Sequence, residues 1–335
     1  MELKQGVRKP KTVKRLAVLS SGGDAPGMNA AIRAVVRRGI AAGVEVYGVF
    51  GGLQGLIDKN IKRLDSRSVS NVIQRGGTIL HTSRSEAFRT IAGMRRAASA
   101  LDTSGIGSLG AIGGNGTLCG IHEFAAHWSG KLIGVPGTID NDIWGTERTI
   151  GFDTAVNTAL DAIDKVRDTA DAHERFFLVE VMGREAGFIA LAVAVAGGAE
   201  AVLVPEQKAD LADLGSRLAD WRRKGKMSSI LVVAEGNMHG GAYEIAEKLK
   251  KASTLDYRVV VLGHIQRGGV PTSNDRILAT RLGAFAVDLI LAGRTGVMAG
   301  EMNGALVEVP LKQAFSRKKA LDEYSLALVD ALGAP

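Results

Sequence analysis

Two aspartates, Asp140 and Asp142, stand two residues apart in a segment that reads P-G-T-I-D-N-D and follows a short apolar run. In an extended backbone, residues i and i+2 face the same side, so both carboxylates can converge on one point. Carboxylates arranged in this way can hold a divalent cation or remove a proton from a hydroxyl group. An Asx turn with two solvated acids is the alternative interpretation of this segment taken by itself.

Two glycine-rich segments contain the residue types that bind phosphate. Residues 21–29 read S-G-G-D-A-P-G-M-N and residues 113–117 read G-G-N-G-T, and each stands between an apolar run and a helix-like stretch. Glycines let backbone N–H groups point at an anion, and a helix N-terminus adds partial positive charge. Met28 and Asn29 stand where a P-loop needs Lys and Ser or Thr, so a tight turn explains the first segment equally well. In the second segment, Thr117 is predicted to cap the helix that follows.

Five arginines lie at predicted loop positions, several of them beside strand ends, where forked guanidinium donors match phosphate oxygens. They are Arg84, Arg175, Arg184, Arg258 and Arg267. We expect Arg258, Arg267 and His264 to surround one strand end. Surface ion pairs would explain any one arginine, but their shared position favours a binding role for the set.

Taken in order, these segments resemble the 6-phosphofructokinase family from about residue 16 to about residue 293. The resemblance rests on S-G-G-D-A-P-G-M-N at 21–29, P-G-T-I-D-N-D-I at 136–143, V-E-V-M-G-R at 179–184 and L-G-H-I-Q-R-G-G at 262–269. NAD and diacylglycerol kinases share only an element like residues 113–117 and match less well. The resemblance implies Mg²⁺-dependent phosphorylation of fructose 6-phosphate by ATP, a committed step of glycolysis.

The resemblance also implies roles for single residues. Asp140 matches the family's catalytic base, with Thr138 beside it, and Arg84 and Arg184 match side chains that stabilise the transferring phosphoryl group. The positions that match the nucleotide site are Gly23, Arg84, Ser85, Gly114, Asn115, Gly116 and Thr117. Those that match the sugar-phosphate site are Thr138, Ile139, Asp140, Arg175, Met182, Gly183, Arg184, Glu235, Arg258, His264, Ile265, Gln266 and Arg267. In the family, the arginines matched by Arg175 and Arg258 reach over from a neighbouring subunit of a homotetramer.

Three positions bear on the phosphoryl donor and on the metal. Pyrophosphate-using relatives tend to have Asp at position 116 and Lys at position 137, whereas this chain has Gly116 and Gly137, which favours ATP. Asn115 stands where the family has an aspartate that helps to bind Mg²⁺, so Asn115 and Asp142 form a site with less charge. A pyrophosphate-dependent enzyme and a catalytically impaired sugar-phosphate-binding paralogue are therefore the alternatives.

A second group of charged residues matches the family's effector site. Its members are Arg33, Arg37, Arg167, Glu200, Lys224 and Lys226. Asn60 stands where the family has a further arginine, and Arg33 and Arg37 form an i, i+4 pair of the kind common on solvated helix faces. Allosteric control remains open at this point.

The elements that must position these residues alternate between strand and helix. Strands are predicted at 16–20, 44–50, 109–112, 132–135, 176–181, 201–204, 230–234 and 258–262, and helices at 28–41, 154–167, 188–195, 211–223, 243–251, 274–292 and 319–332. Short apolar strands separated by helices indicate parallel sheets covered on both faces. We predict an α/β fold of two similar doubly wound, Rossmann-like domains: a nucleotide domain of residues 13–151 plus 266–316, and a sugar-phosphate domain of residues 152–265 plus 317–335.

Composition excludes several other classes of protein. The chain has 335 residues, of which 46% are hydrophobic and 23% are charged, which is typical of a globular protein. The single cysteine, Cys119, excludes a disulfide framework within the chain, and no apolar run reaches the roughly 20 residues that span a bilayer. The net charge of +7 owes much to a basic tail at residues 1–12, which lacks interleaved aromatics and the apolar core of a signal peptide. We therefore expect a cytoplasmic protein that binds neither nucleic acid nor membrane.

Overall fold

The alternating apolar segments of the sequence fold into two open sheets with helices on their faces. A computed structural model describes residues 13–334, so the predicted basic tail at 1–12 lies outside the described residues. The strands are β1 Arg15–Ser20, β2 Glu45–Val49, β3 Ile61–Leu64, β4 Ser108–Gly113, β5 Lys131–Pro136, β6 Phe176–Val181, β7 Ala201–Leu203, β8 Ser229–Ala234, β9 Tyr257–Val261, β10 Val297–Met302 and β11 Ala305–Pro310. The helices are α1 Met28–Ala41, α2 Gly52–Ile57, α3 Ile91–Thr103, α4 Asn115–Phe124, α5 Phe152–His173, α6 Phe188–Ala196, α7 Leu211–Arg223, α8 Ala242–Ser253, α9 Ser273–Leu291, α10 Leu311–Ser316 and α11 Glu323–Gly333.

The larger sheet has seven strands in the order β11-β10-β5-β4-β1-β2-β3. Strands β10, β5, β4, β1 and β2 are parallel, while β3 and β11 pair antiparallel at the two edges. Residues Leu16 to Leu19 of β1 are fully buried, as expected for a central strand covered on both faces. Strand order reverses beside β1, which places a crevice at the carboxyl ends of β1 and β4.

The smaller sheet has four parallel strands in the order β7-β8-β6-β9. The chain then returns to the larger sheet, because α9 packs against α1 and the β10–β11 hairpin extends that sheet at one edge. The last helix, α11, packs back on α6 and β7. The prediction of an α/β fold with mainly parallel sheets is confirmed, and the exact domain limits remain a prediction.

Several elements were not predicted from the sequence, and the strands among them lack the expected pattern. Strand β3 carries two exposed charged residues, Lys62 and Arg63, and β10 contains Gly300 and Glu301, residue types depleted in strands. Strand β11 is largely exposed at the sheet edge. Helices α2, α3 and α10 were also missed, whereas α4 is the helix predicted to follow residues 113–117. No helix within residues 13–334 is both long and apolar enough to cross a membrane.

The predicted capping role of Thr117 is wrong. Helix α4 begins at Asn115, so Thr117 already lies in its first turn, and the residue at the cap is Gly114. The hydroxyl of Thr117 donates instead to the carbonyl oxygen of Ser21, 3.0 Å away. This bond ties the two glycine-rich segments to each other.

Candidate active site

The segments that follow β1, β4, β5 and β6 meet in one cleft of about 420 Å³. Predicted site residues in its lining are Gly23, Arg84, Ser85, Gly114, Asn115, Gly116, Thr117, Thr138, Ile139, Asp140, Asp142, Arg184 and Arg267. The complete predicted nucleotide set and the complete predicted catalytic set therefore share this cleft. An Asx turn that exposes both carboxylates is not what the structure contains, because Asp140 is only 6% exposed.

Asp140 has the properties of a general base at near-neutral pH. Burial, followed by the charge of Asp142, raises its pKa to about 6, and the charge of Arg184 acts in the opposite direction. The Nε atom of Arg184 lies 3.5 Å from Oδ2 of Asp140. A carboxylate with a pKa in this range is largely ionised at pH 7 and still basic enough to accept a proton from an alcohol during reaction.

The loop that carries Asp140 is held by hydrogen bonds within its own segment. The backbone N–H of Asp140 donates to Oγ1 of Thr138 at 3.2 Å. Asn141 is buried with a left-handed φ of 55°, and its Oδ1 accepts from the backbone N–H of Thr149 at 3.0 Å. The buried amide of Asn141 therefore fixes the turn between Asp140 and Asp142.

Asn115 and Asp142 form a pair that fits a hard divalent cation. Nδ2 of Asn115 donates to Oδ2 of Asp142 at 2.8 Å, and Oδ1 of Asn115 is buried without a hydrogen-bond partner in the described residues. An unpartnered amide oxygen beside a carboxylate is the kind of oxygen donor set that Mg²⁺ accepts. No group of three or more His, Cys, Asp or Glu side chains within residues 13–334 is placed to bind a metal. A cation here needs further oxygens from phosphate groups or water.

Lys319 is a neighbour of Asp142 that sequence reasoning missed. Its Nζ donates to the carbonyl oxygen of Glu147 at 2.6 Å and lies 5.1 Å from the ring centroid of Phe188. Burial lowers the pKa of Lys319 to about 8, with the charges of Asp142 and Glu147 opposing that shift. No motif surrounds this lysine in the sequence, so only the fold reveals its position.

The predicted sugar-phosphate residues after β6, β8 and β9 are joined by two hydrogen bonds. Gly183 and Arg184 have φ angles of 147° and 54°, and the backbone N–H of Arg184 donates to Oε1 of Glu235 at 2.8 Å. The backbone N–H of Met182 donates to Oε1 of the fully buried Gln266 at 2.8 Å. These bonds aim the end of β6 at the cleft.

Arg267 and its neighbours occupy a 3₁₀ turn after β9, Gly263–Arg267. A Cβ atom added to Gly23 would lie 3.5 Å from Nη1 of Arg267, so this guanidinium reaches the first glycine-rich segment. His264 and Ile265 on the same turn are exposed and lie outside the cleft lining.

The expectation that Arg258 and Arg267 surround one strand end is wrong. Arg258 is the second residue of β9, and Arg267 comes after that strand ends. Arg258 shares a shallow groove with Arg175, which immediately precedes β6. The groove therefore lies at the amino-terminal ends of β6 and β9, whereas the cleft lies beyond the carboxyl end of β6. The six residues of β6 span about 20 Å between the two.

Three of the six predicted effector residues meet in one cluster. Arg167 donates to the carbonyl oxygens of Gly197 and Gly198 and lies 3.8 Å from Glu200. Lys226 Nζ lies 3.2 Å from Glu200 and donates to the carbonyl oxygen of Gly333 at 3.1 Å. These cations thus sit at the carboxyl ends of α6 and α11, where helix dipoles favour positive charge.

The hydrogen bonds and ion pairs of this cluster do not include the other three predicted effector residues. Arg33 and Arg37 are on α1, which packs on the larger sheet. Lys224 makes a surface ion pair with Asp220 at 2.8 Å.

The fold and the cleft define a doubly wound α/β protein in which two glycine-rich loops face a buried carboxylate. The chain belongs to the phosphofructokinase family. The family profile described as Phosphofructokinase matches residues 15–290.

Curated relatives match over nearly the whole chain. The ATP-dependent 6-phosphofructokinase 1 of Thermus thermophilus is 53% identical over 320 residues, which cover 96% of this chain and 99% of the relative. The ATP-dependent 6-phosphofructokinase of Bacillus licheniformis is 50% identical over 320 residues, with the same coverage.

Solved structures share the fold. Phosphofructokinase from Saccharomyces cerevisiae aligns with a TM-score of 0.83 and 33% identity over 95% of this chain, which spans 46% of the yeast chain. The pyrophosphate-dependent phosphofructokinase from Marinobacter aquaeolei has a TM-score of 0.82 at 21% identity, covering 95% of this chain and 91% of its own. At that identity the likeness concerns the fold alone.

Proposed function

We propose that this protein is an ATP-dependent 6-phosphofructokinase, which transfers the γ-phosphoryl group of ATP to the 1-hydroxyl of fructose 6-phosphate in glycolysis. The observation that carries the proposal is Asp140, a buried carboxylate whose pKa is raised to about 6, in a cleft lined by two glycine-rich phosphate loops. Relatives at 50 to 53% identity that bear this name support the choice of substrates.

The reaction needs a base for the hydroxyl proton and positive charge for the phosphoryl group. Asp140 takes the proton as the sugar oxygen attacks phosphorus, and Thr138 holds the backbone of Asp140 in place. Arg184, which contacts Asp140, and Arg84, which lies in the cleft lining, stabilise the charge that spreads over the equatorial oxygens.

Mg²⁺ is the metal that we propose for this site, held by Asp142 and the amide oxygen of Asn115. When bound, the cation neutralises charge on the nucleotide phosphates. Lys319 places a second positive charge beside Asp142, which offsets part of the negative charge available to a metal. This chain therefore relies on the phosphates themselves for much of the metal's ligand set.

ATP is the proposed donor because of two glycines. A Cβ atom on Gly116 would meet nothing within 4 Å, so the glycine leaves open space in front of the phosphate loop. A Cβ atom on Gly137 would lie 2.8 Å from Cγ2 of Ile112, so a lysine there would force the loop to move. Both positions thus lack the charged side chains that would select pyrophosphate over a nucleotide.

The sugar-phosphate site is proposed to be completed by a second copy of the chain. Met182, Gly183, Glu235, His264, Ile265, Gln266 and Arg267 belong to the half of the site on the same chain. Arg175 and Arg258 lie at the amino-terminal ends of β6 and β9, away from the cleft, so they reach a 6-phosphate only in a neighbouring subunit. We propose a homotetramer, with the nucleotide on residues 13–151 plus 266–316 and the sugar phosphate on residues 152–265 plus 317–335.

One charged cluster bears on regulation, and the substrates bear on the cellular location. The Arg167, Glu200 and Lys226 cluster has the charges of an effector site, but its cations already bind helix carbonyls. Glycolytic sugar phosphates are cytoplasmic metabolites, and we propose the same compartment for the enzyme.

A coupled assay on the purified chain tests the proposal. With fructose 6-phosphate and Mg²⁺, we expect fructose 1,6-bisphosphate from ATP and none from pyrophosphate. Turnover with pyrophosphate alone would make the chain a pyrophosphate-dependent enzyme. Calorimetric binding of fructose 6-phosphate without turnover with either donor would make it a binding paralogue.

A further inference from the structure

Asp275 is a buried carboxylate that lies behind the cleft and outside its lining. It stands in the first turn of α9 and is 1% exposed. Its Oδ1 accepts from the backbone N–H of Gly151 at 2.8 Å, and its Oδ2 accepts from the backbone N–H and hydroxyl of Thr154 at 2.8 and 2.5 Å. A buried carboxylate is costly unless it is hydrogen-bonded, and here three donors surround one.

The donors of Asp275 belong to the N-terminus of α5, which has no cap of its own. Gly151, the residue at the cap position, has a φ of 104° and no side chain that can accept a hydrogen bond. Asp275 therefore supplies the missing cap and a favourable negative charge from another helix. Thr272 strengthens this junction, because its hydroxyl donates to Asp153 at 2.6 Å and its backbone N–H donates to Thr154 at 3.1 Å.

The residues just before Gly151 hold the segment that carries the base. Ile150 bonds to both sides of Gly137: its N–H donates to the carbonyl of Pro136 at 2.9 Å, and its carbonyl accepts from the N–H of Thr138 at 3.1 Å. The hydroxyl of Thr149 donates to the carbonyl of Thr138 at 2.6 Å. Residues 149–150 thus form a strap, and this strap sets the position of Thr138 and the residues after it.

The first glycine-rich segment packs tightly against the same strap. A Cβ atom on Gly27 would lie 2.8 Å from Cγ2 of Ile150 and 3.5 Å from Cβ of Asp275. A Cβ atom on Gly151 would lie 2.6 Å from Cβ of Ala25. Since protein interiors transmit displacements through close packing, a shift of the strap would move both sides of the cleft.

We propose that Asp275 is a positioning residue for phosphoryl transfer: by capping α5 it fixes the 149–150 strap and, through Thr138, the place of Asp140. The inference rests on the proposed function, in which Asp140 is the base. Asp275 touches no substrate, so its effect falls on turnover rather than on substrate affinity. A misplacement of the base by about 1 Å is enough to slow such a reaction by about 100-fold.

A double-mutant cycle tests whether Asp275 acts through Asp140. Asp275→Asn keeps the shape of the side chain but turns an amide NH₂ group toward the donors that Asp275 accepts from. The substitution is made both in the wild-type chain and in the Asp140→Asn variant. We expect kcat to fall about 10- to 100-fold in wild type, with both KM values within about threefold. In Asp140→Asn, phosphoryl transfer followed with radiolabelled ATP should fall by less than about twofold, because the positioned base is already absent.

The pH profile gives a second readout that a purely structural role would not move. Displacement of Asp140 relative to Arg184 changes its pKa, so the acid limb of kcat in Asp275→Asn should shift by about 0.5 pH unit or more. Asp275→Glu is taken through the same measurements if Asp275→Asn does not fold. Asp288→Asn, a carboxylate on the same helix that pairs with Arg38, is the matched control and should leave kcat and the profile unchanged.

The outcomes separate this inference from the proposed function. An equal loss of turnover in both backgrounds with an unchanged pH profile would overturn the inference, and so would wild-type turnover in Asp275→Asn. Failure of the wild-type chain to phosphorylate fructose 6-phosphate would instead count against the proposed function.

Discussion

Asn115 donates a hydrogen bond from Nδ2 to Oδ2 of Asp142 at 2.8 Å, which leaves its own Oδ1 buried and without a partner in residues 13–334. The pair offers a cation several oxygens but one formal negative charge. At an effective dielectric constant near 20, a unit charge about 4 Å from another contributes roughly 4 kcal/mol before desolvation offsets most of it. The missing charge is therefore large enough to affect metal binding measurably.

Replacing Asn115 with Asp should restore that charge. We expect Asn115→Asp to lower the Mg²⁺ concentration for half-maximal activity and to tighten Mn²⁺ binding by about tenfold in magnetic resonance titrations. Without metal, the new carboxylate faces Asp142 and loses the amide hydrogen bond, so the melting temperature of the metal-free variant should fall and recover on adding Mg²⁺. Asn115→Ser, which keeps an oxygen without a charge, is the control. Equal metal dependence in Asn115→Asp and wild type would contradict the argument.

The acid side of the activity profile should report the ionisation of Asp140. Its pKa is raised to about 6 by burial and by Asp142, and only the ionised form accepts the hydroxyl proton. We expect kcat/KM to be flat near pH 7.5 and to fall about tenfold for each pH unit below about 6. The rate is measured with coupling enzymes in excess at each pH. A profile that stays flat down to pH 5 would show that another group is the base.

Asp140 should also cost the folded protein stability at neutral pH. The pKa of Asp140 is about 6 in the folded protein and 3.8 for a free aspartate side chain, so the folded state binds more protons between these values and stability falls as the pH rises through them. We expect Asp140→Asn to abolish most turnover and to stabilise the protein above pH 6 by an amount on the order of 2–3 kcal/mol. Denaturant unfolding at pH 4 and pH 7 measures this, and the gain should nearly vanish at pH 4. A gain of equal size at both pH values would exclude the titration of Asp140 as its source.

Local sequence pattern was sufficient to predict the strands that are buried on both faces. Residues 16–19 and 176–181 are short, apolar and bounded by turns, and both form central parallel strands. The antiparallel edge strands β3 and β11 carry exposed polar residues, because one face and one edge meet solvent. Their pattern therefore differs little from that of a loop.

The candidate site was predictable where function resides in contiguous segments, and less so where it depends on long-range packing. The segments around Asp140 and Asn115 are recognisable motifs. Lys319 and Asp275 lie far from these motifs in the sequence. They contact Glu147 and Gly151 only because residues 317–322 and α9 fold back on the earlier part of the chain. The prediction misplaced Arg258, which lies near the start of β9, whereas Arg267 lies beyond the end of that strand. Their proximity in the sequence therefore did not mean that they share a strand end.

Donor choice should respond to charge at position 116 without damage to the fold. A Cβ atom on Gly116 meets nothing within 4 Å, and an acid in the first turn of α4 is favourable for the helix. We expect Gly116→Asp to keep or raise the melting temperature while the KM for ATP rises about tenfold or more, because the carboxylate repels the nucleotide phosphates. Gly116→Asn, similar in size but uncharged, is the matched control and should change KM far less. Equal effects of Asp and Asn would indicate that space, rather than charge, excludes the side chain.

Sharing of active sites between subunits should be visible in hybrids of two defective variants. Asp140 lies in the cleft, whereas Arg258 lies at the amino-terminal end of β9, away from the cleft. Each site would therefore combine the Asp140 of one copy with the Arg258 of another. In a two-fold pair made of one Asp140→Asn chain and one Arg258→Ala chain, one site carries both defects and the other carries none. An equal mixture that is dissociated and reassembled should therefore regain about a quarter of wild-type activity at low fructose 6-phosphate, since half of the pairs are mixed and half of their sites are intact.

The matched control replaces Arg258→Ala with Arg184→Ala. Arg184 and Asp140 face each other within one chain at 3.5 Å, so every site of a mixed pair carries one defect and activity should not return. Each mixture is assayed against the unmixed variants, with the assembly state followed by sedimentation. Recovery in both mixtures would mean that subunits exchange something other than Arg258. Recovery in neither, with assembly intact, would mean that each chain binds the 6-phosphate with its own residues and that the groove at Arg175 and Arg258 serves another purpose.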